Sequence, residues 1–478
     1  MAEIRTQFYT SEASKAIKDQ VLQRALADFQ QRLSTGTAAA YLNLPEGPEL
    51  RIKAHDLRMR AVENLDVLLE TLADNVRRNG GQVYFAEDGP SAVGICLDIA
   101  RRHRVKLAVK GKSMVTEEIG LNQALADAGI EVVETDLGEY IVQLAGEHPS
   151  HIIAPAIHKT RNEIGRLLAE KLGIACTTDP PTLTRAARKM LREKFVAAEM
   201  GISGCNLACA ETGHITTLSN EGNIRMATTM PKVHVAIMGM ERVTARLEEH
   251  DALLRLLARG AAAQNMAVYV SYIGGPRYPD QVDGPDEFHL IILDNGRSRI
   301  LADPEFREIL GCIRCGACLN VCPVYGKIGG HAYGFTYCGP VGAVVAPLLV
   351  GINRAKDLCL GETLCGACQN ACPVNLDIPR MLLALRHKLA EGDQQWAVVP
   401  ADRTEQTLYH LWSWLIRSRP LYESLLRLAA VGQHLLPRHN GMIAKLPPPL
   451  QGWTRSRDIQ PIAGESFMRR WKRRRELR

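Results

Sequence analysis

Nine of the thirteen cysteines lie between positions 312 and 372, and their spacing decides what chemistry they can do. The first run reads Cys312-Ile-Arg-Cys315-Gly-Ala-Cys318-Leu-Asn-Val-Cys322-Pro323, and the second reads Cys365-Gly-Ala-Cys368-Gln-Asn-Ala-Cys372-Pro373. A C-x2-C-x2-C-x3-C-P run puts three thiolates on one tight loop, where they reach three irons of a single cubane. The fourth, followed by proline, points to a different cluster. Two such runs exchange their last cysteines and hold two [4Fe–4S] clusters. On that rule Cys312, Cys315, Cys318 and Cys372 take one cluster, and Cys322, Cys365 and Cys368 supply three ligands of the other. Zinc ribbons use paired C-x2-C and rarely string three cysteines before C-P. Disulfides need an oxidising compartment.

The repeat is nearly literal. CGACLNVCPV (315–324) and CGACQNACPV (365–374) agree at eight of ten positions, at an offset of fifty. In that register Cys312 should face a cysteine at 362, where Glu362 stands. Cys359 lies three residues earlier, so a bulged turn over Leu360 to Leu364, eased by Gly361, would return its sulfur to the open iron. Cys359 is therefore expected as the fourth ligand, with Cys338, Glu362 or a three-iron cluster lacking a fourth ligand as the alternatives. Cys338 falls in Tyr333-Gly-Phe-Thr-Tyr337-Cys338-Gly339-Pro340, a stretch that reads as a cluster-covering loop or a linker.

The remaining 478-residue chain must position these loops. Hydrophobic content of 46% and charged content of 23% fit a protein with a real core, and the net charge of +6 is modest. Much of that charge sits in the last ten residues, Arg469 to Arg478, read as a solvated tail or a contact for an acidic partner. The N-terminus has no apolar signal region, and the longest apolar run, Val341 to Ile352, is short and carries Pro347. A cytoplasmic protein without a membrane span is expected.

Apolar spacing predicts helices over Ala13–Leu33 and Leu57–Arg78, the latter ended by Asn79-Gly80-Gly81. Strand and helix signals then alternate. Strands are expected near Gln82–Ala86, Lys106–Val109, Glu131–Glu134, Ile152–Ala156, His234–Met238, Ala267–Ile273 and His289–Leu293. Such alternation argues an α/β domain with a largely parallel sheet, whose ligands bind beyond the strand ends. Three loops stand there as candidates: Lys110 to Glu118, a basic and hydroxyl-rich turn suited to an anion; His158 to Glu163; and Gly204 to Gly213 continued by Ser219 to Asn223, with Glu211 and Thr212 as candidate ligand or catalytic groups. No Ser/His/Asp set, P-loop, flavin or nicotinamide motif is visible, and no DNA-reading module.

AVKGKSMVTEEIGLN (108–122), HKTRNEIG (158–165), AETGHITTLSNEGNIR (210–225) and VHVAIMG (233–239) resemble the LUD (lactate utilization) domain family. The resemblance implies an α/β fold like that of the sugar isomerase and CoA-transferase group. The order of LUD domain, ferredoxin-type module and a tryptophan-containing C-terminal region resembles the lactate utilization B family. It implies an N-terminal helical segment (1–69), a LUD α/β domain (70–297), an α-helical two-cluster module (298–390) and a helical C-terminal region (391–478). The implied role is the iron–sulfur electron-transfer component of a complex oxidising L-lactate to pyruvate, with a cysteine-rich partner resembling LutA and a second LUD protein resembling LutC. The alternative is a LUD-domain enzyme acting on an acyl or phosphorylated small molecule, with Glu211 as the residue to suspect because CoA-transferase relatives use a glutamate nucleophile.

Overall fold

Ten short strands build the α/β part: β1 Gln82–Ala86, β2 Leu107–Lys110, β3 Glu131–Glu134, β4 Met200–Ser203, β5 Leu207–Cys209, β6 His214–Ser219, β7 Val233–Gly239, β8 Val243–Thr244, β9 Tyr269–Ile273 and β10 Glu287–Leu293. In the computed structural model, which describes residues 4–400, 402–448, 450–455 and 457–476, six of them form a parallel sheet in the order β1-β10-β7-β4-β2-β3. The central strand β7, VHVAIMG, is buried at every position, as a parallel strand covered on both faces must be. The other four form a mixed sheet, β8-β5-β6-β9.

Close packing fixes this sheet against its helices. Gly201 of β4 meets the helix Asn223–Thr229 so tightly that a Cβ there would stand 1.7 Å from the Ala227 carbonyl oxygen.

The expected strand at Ile152–Ala156 is instead a chain of bends and turns. Pro155 has no N–H for a ladder, and the His151 ring nitrogen Nδ1 accepts the N–H groups of Ile153 and Ala154 at 3.0 and 3.3 Å. The two N-terminal helices predicted from periodicity are each divided. Asp19 caps Gln20–Leu42 by accepting from the Val21 and Leu22 N–H groups, which separates it from Tyr9–Ala16. A break at Asn64 separates Gly47–Glu63 from Leu65–Arg78.

The cysteine region is built of short helices, among them Ala317–Asn320, Ala367–Ala371 and the longer Gly339–Val350 and Ile378–Glu391. The apolar run noted above forms most of Gly339–Val350, whose first ten residues are all buried. This region does not stand apart. One apolar core joins Tyr9, Leu26 and Leu57 of the N-terminal helices, Leu253 and Leu256 of the helix Leu247–Ala262, and Tyr333, Val344 and Leu385 of the cysteine region. The chain up to Val399 is thus a single compact unit, and Pro400–Arg478 forms a second. The second unit contains the helices Arg403–Arg417, Arg419–Gly432 and Phe467–Glu476; the last carries the basic segment and has no buried residue.

Gly201→Ala should lower the thermal unfolding midpoint by the equivalent of at least ~1–3 kcal/mol, the usual cost of overpacking a close-packed core. Circular dichroism melting of the purified chain measures it.

Candidate iron–sulfur centre and adjoining cleft

The fifty-residue repeat is also a repeat of backbone shape. Arg314 and Leu364 both have φ of 55°, and Gly316 and Gly366 have φ of 80° and 81°. A left-handed residue on each side of Cys315 and of Cys365 curls the loop so that successive thiols face one point. The non-glycine residues there carry a conformational cost. Each loop then enters a short helix, Ala317–Asn320 or Ala367–Ala371, with Cys318 and Cys368 in its first turn.

Two groups of side chains result. Cys312, Cys315, Cys318 and Cys372 are electrostatic neighbours of one another. Cys322 lies with Cys368 and Cys365, and the carboxylate of Glu362 joins them. The Cys322 Sγ to Glu362 Oε2 distance is 3.6 Å. All thirteen cysteines are free. Burial pushes the Cys372 thiol up to about 12 and Cys368 to about 11, and raises Cys315, Cys318 and Cys322 as well. Cys365 is lowered instead, first by a hydrogen bond with the Thr363 side chain. Binding iron must therefore expel thiol protons from most of these positions.

Cys359 and Cys338 are placed differently. Cys359 is fully buried, and its Sγ donates to the Lys356 carbonyl at 3.1 Å within the helix Lys356–Leu360. A helical turn, and not the expected bulge, carries it, and its thiol bonds within that turn. Cys338 is buried against the Ser150 carbonyl at 3.9 Å.

The surroundings suit an anionic cluster. Arg51 donates to the Cys372 carbonyl at 2.7 and 3.1 Å, Arg242 to the Cys312 carbonyl at 3.3 Å, and the Arg314 N–H to Cys312 Sγ at 3.3 Å. Arg58, 1% exposed, donates to the carbonyls of Val243 at 2.6 Å, Leu310 at 3.2 Å and Gly311 at 3.3 Å, and also to that of Glu241. One guanidinium so ties an N-terminal helix, the end of the parallel sheet and the loop that opens the first cysteine run. Free thiols that converge from both loops, with cations placed around the first set, fit iron–sulfur ligation.

A cleft of about 340 Å³ opens beyond the carboxyl ends of β2, β4 and β7 and reaches the first cysteine loop. Lys112 and Ser113 of the first candidate loop line it, with Gly204, Asn206, Glu221 and Asn223 of the third, and Arg314 and Cys315 at the far wall. At that wall three arginines converge on Glu241: Arg297 at 2.8 Å, Arg242 at 3.7 Å and Arg314 at 3.9 Å. Burial alone raises the Glu241 carboxyl. The charges of Arg297, Arg242 and Arg314 outweigh it and hold the group at about 2. Arg297 is shared with Glu118 at 2.8 Å, which also accepts from the Tyr337 hydroxyl at 2.6 Å. Lys112 Nζ and Arg314 Nε and Nη1 are buried without a hydrogen-bond partner among the described residues.

The other candidates fall outside the cleft. Glu211 is exposed, and its carboxylate accepts the Leu247 N–H at 3.1 Å, where it serves the start of a helix. His158 and Lys159 pair with Glu147, and Thr160 with Glu163 forms a capping box. That loop is a capped turn. Glu118 closes the first candidate loop, whereas the residues that sequence reasoning passed over are Arg58, Glu241, Arg242 and Arg297. Only their charge within apolar surroundings hinted at them.

Two family models match this architecture: the LUD domain over residues 69–293 and the 4Fe-4S dicluster domain over residues 308–376. Lactate utilization protein B of Bacillus licheniformis is 41% identical over 470 residues, covering 98% of this chain and 97% of the relative. The chain belongs to the lactate utilization protein B family. Lactate utilization protein B of Bacillus cereus is 42% identical over 459 residues, 96% of this chain and 95% of its own. The uncharacterized electron transport protein YkgF of Escherichia coli is 46% identical over 375 residues, 78% of this chain and 79% of its own. In this member of the lactate utilization protein B family the 4Fe-4S domain contains both cysteine runs, and among the described residues no helix is long and apolar enough to cross a membrane.

Arg58→Met should destabilise this unit by more than ~3 kcal/mol, because up to four buried carbonyls lose a donor at ~1–3 kcal/mol each. Arg58→Lys should recover only a part, since one ammonium cannot span that fork. Denaturant unfolding, with iron content followed in parallel, measures both.

Proposed function

We propose that this chain is the iron–sulfur electron-transfer subunit of a complex that oxidises L-lactate to pyruvate. The observation that carries the reading is the pair of crossed cysteine groups. Cys372 of the second run stands with Cys312, Cys315 and Cys318, and Cys322 of the first stands with Cys365 and Cys368. Two [4Fe–4S] clusters held by these seven cysteines would pass electrons singly and could not themselves take a hydride from carbon. Oxidation of lactate releases two electrons and two protons, so a two-electron centre must lie on a companion. The names of the Bacillus relatives support a lactate utilization system, and that of the Escherichia coli relative supports electron transport. The companions are a LutA-like cysteine-rich protein and a LutC-like LUD protein. The basic shell around Cys312 and Cys372 offsets the charge of the first cluster, while the apolar core shared with the N-terminal helices keeps water from it.

A second reading has its own support. The cleft beyond β2, β4 and β7, with the unpartnered nitrogens of Lys112 and Arg314, suits a small anion and fits a LUD domain that itself binds an acyl or phosphorylated molecule. Glu211 does not line that cleft, and its carboxylate accepts the Leu247 N–H.

Anaerobically purified protein should hold about eight iron and about eight sulfide per chain, and stoichiometric zinc without sulfide would sink the first reading. Deleting the gene should abolish growth on L-lactate and spare growth on pyruvate in a strain with no other lactate dehydrogenase. Unimpaired growth on lactate there would overturn the lactate assignment.

Calorimetry on the full chain decides what the cleft takes. On the second reading phosphate should bind saturably, and Lys112→Gln should weaken it about tenfold or more, the worth of one hydrogen bond to a charged group at ~1.5–3 kcal/mol. A cleft that binds no small anion would leave only the electron-transfer reading.

A further inference from the structure

The fifty-residue register breaks at one position, and the structure places a carboxylate there. We propose that Glu362 is the fourth protein ligand of the iron–sulfur cluster held by Cys322, Cys365 and Cys368. The inference rests on the cluster reading above and completes it: the second site uses three thiolates and one carboxylate oxygen.

The argument begins with the turn that carries the residue. Arg386 of the helix Ile378–Glu391 donates to the carbonyls of Cys359 at 2.9 Å, Leu360 at 3.3 Å and Glu362 at 2.6 Å. One guanidinium thereby fixes three carbonyls of the turn. In that turn the Cys359 thiol points back to Lys356, and the Glu362 side chain points to Cys322. Bringing Cys359 to the cluster would break this clamp. Tyr9 presses on the same turn, since a Cβ on Gly361 would stand 2.4 Å from its hydroxyl. Cys338 is held elsewhere, 3.2 Å from where a Cβ on Gly330 would lie and facing the Ser150 carbonyl.

The carboxylate itself is held for the task. Glu362 is 8% exposed. The Tyr333 hydroxyl donates to Oε1 at 3.0 Å, which leaves Oε2 facing Cys322 Sγ at 3.6 Å. Among the described residues no Lys or Arg side chain forms an ion pair with it, because Arg386 spends its donors on the backbone. A buried carboxylate beside three thiols, with no ion pair among the described residues and only the Arg386 charge nearby to offset it, gains from a further partner. Iron supplies one, and the carboxyl and thiol protons leave as it binds. An oxygen on iron is a harder ligand than sulfur, so the iron that Glu362 holds is the one most readily lost.

The test uses the full chain, purified anaerobically and titrated with ferricyanide. Under that oxidant [4Fe–4S]²⁺ yields [3Fe–4S]⁺, Fe²⁺ and one electron, which ferricyanide accepts. Wild-type protein should fall from about eight to about seven irons per chain and develop a three-iron paramagnetic signal. Glu362→Cys should keep all its iron under the same treatment. Glu362→Ala and the isosteric Glu362→Gln should be isolated already one iron short. Cys359→Ser should match the wild type. The signal of the Cys312, Cys315, Cys318 and Cys372 cluster should persist in every variant, which shows that the chain has folded. Loss of iron in Cys359→Ser, together with full iron in Glu362→Ala and Glu362→Gln, would overturn the assignment. So would identical ferricyanide sensitivity of wild type and Glu362→Cys. Absence of iron and sulfide from the wild type would overturn the cluster reading itself, a different result from either.

Discussion

Everything in the larger unit answers to one constraint: two loops fifty residues apart must each surrender a thiol to the other's group. Cys372 cannot stand beside Cys315 unless the second loop crosses the first, and Cys322 then has to stand with Cys368. Crossed loops have no hydrophobic stripe of their own to hold them. The surrounding helices supply it, and their arginines donate to backbone carbonyls that the loops leave unpaired. Gln30 reaches the carbonyls of Leu319 and Cys322 at 2.8 and 2.9 Å, Arg51 those of Asn370 and Cys372, and Arg386 those of the turn before the second run. Buried backbone polar groups without a donor are costly, so these side chains are as much a part of the centre as the cysteines.

The parallel sheet meets this centre through charge. Glu118, Glu241, Arg297, Arg242 and Arg314 form a buried chain from the end of the sheet to the first cysteine loop. Removing one member would strand its partner's charge in a site with little water, which is the expensive way to break such a network. A ligand in the cleft would touch the same residues that border the first thiol group. Occupancy of the cleft and the electrostatic setting of that group are therefore physically joined.

Much of this was legible in the sequence. The tandem cysteine spacing pointed to the two groups of thiols, because ligand spacing on a tight loop is a local property. Alternating apolar runs pointed to the α/β sheet for the same reason. Where long-range contacts decide, local signals misled. Ile152–Ala156 has strand-like composition, but Pro155 and the His151 ring make it a turn packed near Asn320. Cys359 is the nearest thiol to the gap in the repeat, and its Sγ bonds the Lys356 carbonyl within its own turn. Arg386, 27 residues further on in sequence, holds that turn by its carbonyls, and no periodicity announces that. Glu211 looked chemical in a loop rich in turn residues, yet it serves the start of a helix from outside the cleft. Arg58 carried no signal beyond a positive charge at a core-facing position of an N-terminal helix.

The shared apolar core has a consequence for how the chain comes to exist. Tyr9 packs edge-on against Tyr333 with ring centroids 5.6 Å apart, and the Arg5 N–H bonds the Gly334 carbonyl at 2.8 Å. Those partners are more than three hundred residues apart, and at about 5–20 residues per second the ribosome needs on the order of 16–65 s to make the stretch between them. Within that time the strand Val243–Thr244 and the helix Leu247–Ala262, on which the first helices also pack, have been made, so those helices gain part of their core before the cysteine region arrives. The faces that meet Tyr333 and Gly334 stay uncovered until the cysteine region has been made, and the first group of thiols is not complete for metal before Cys372 has emerged.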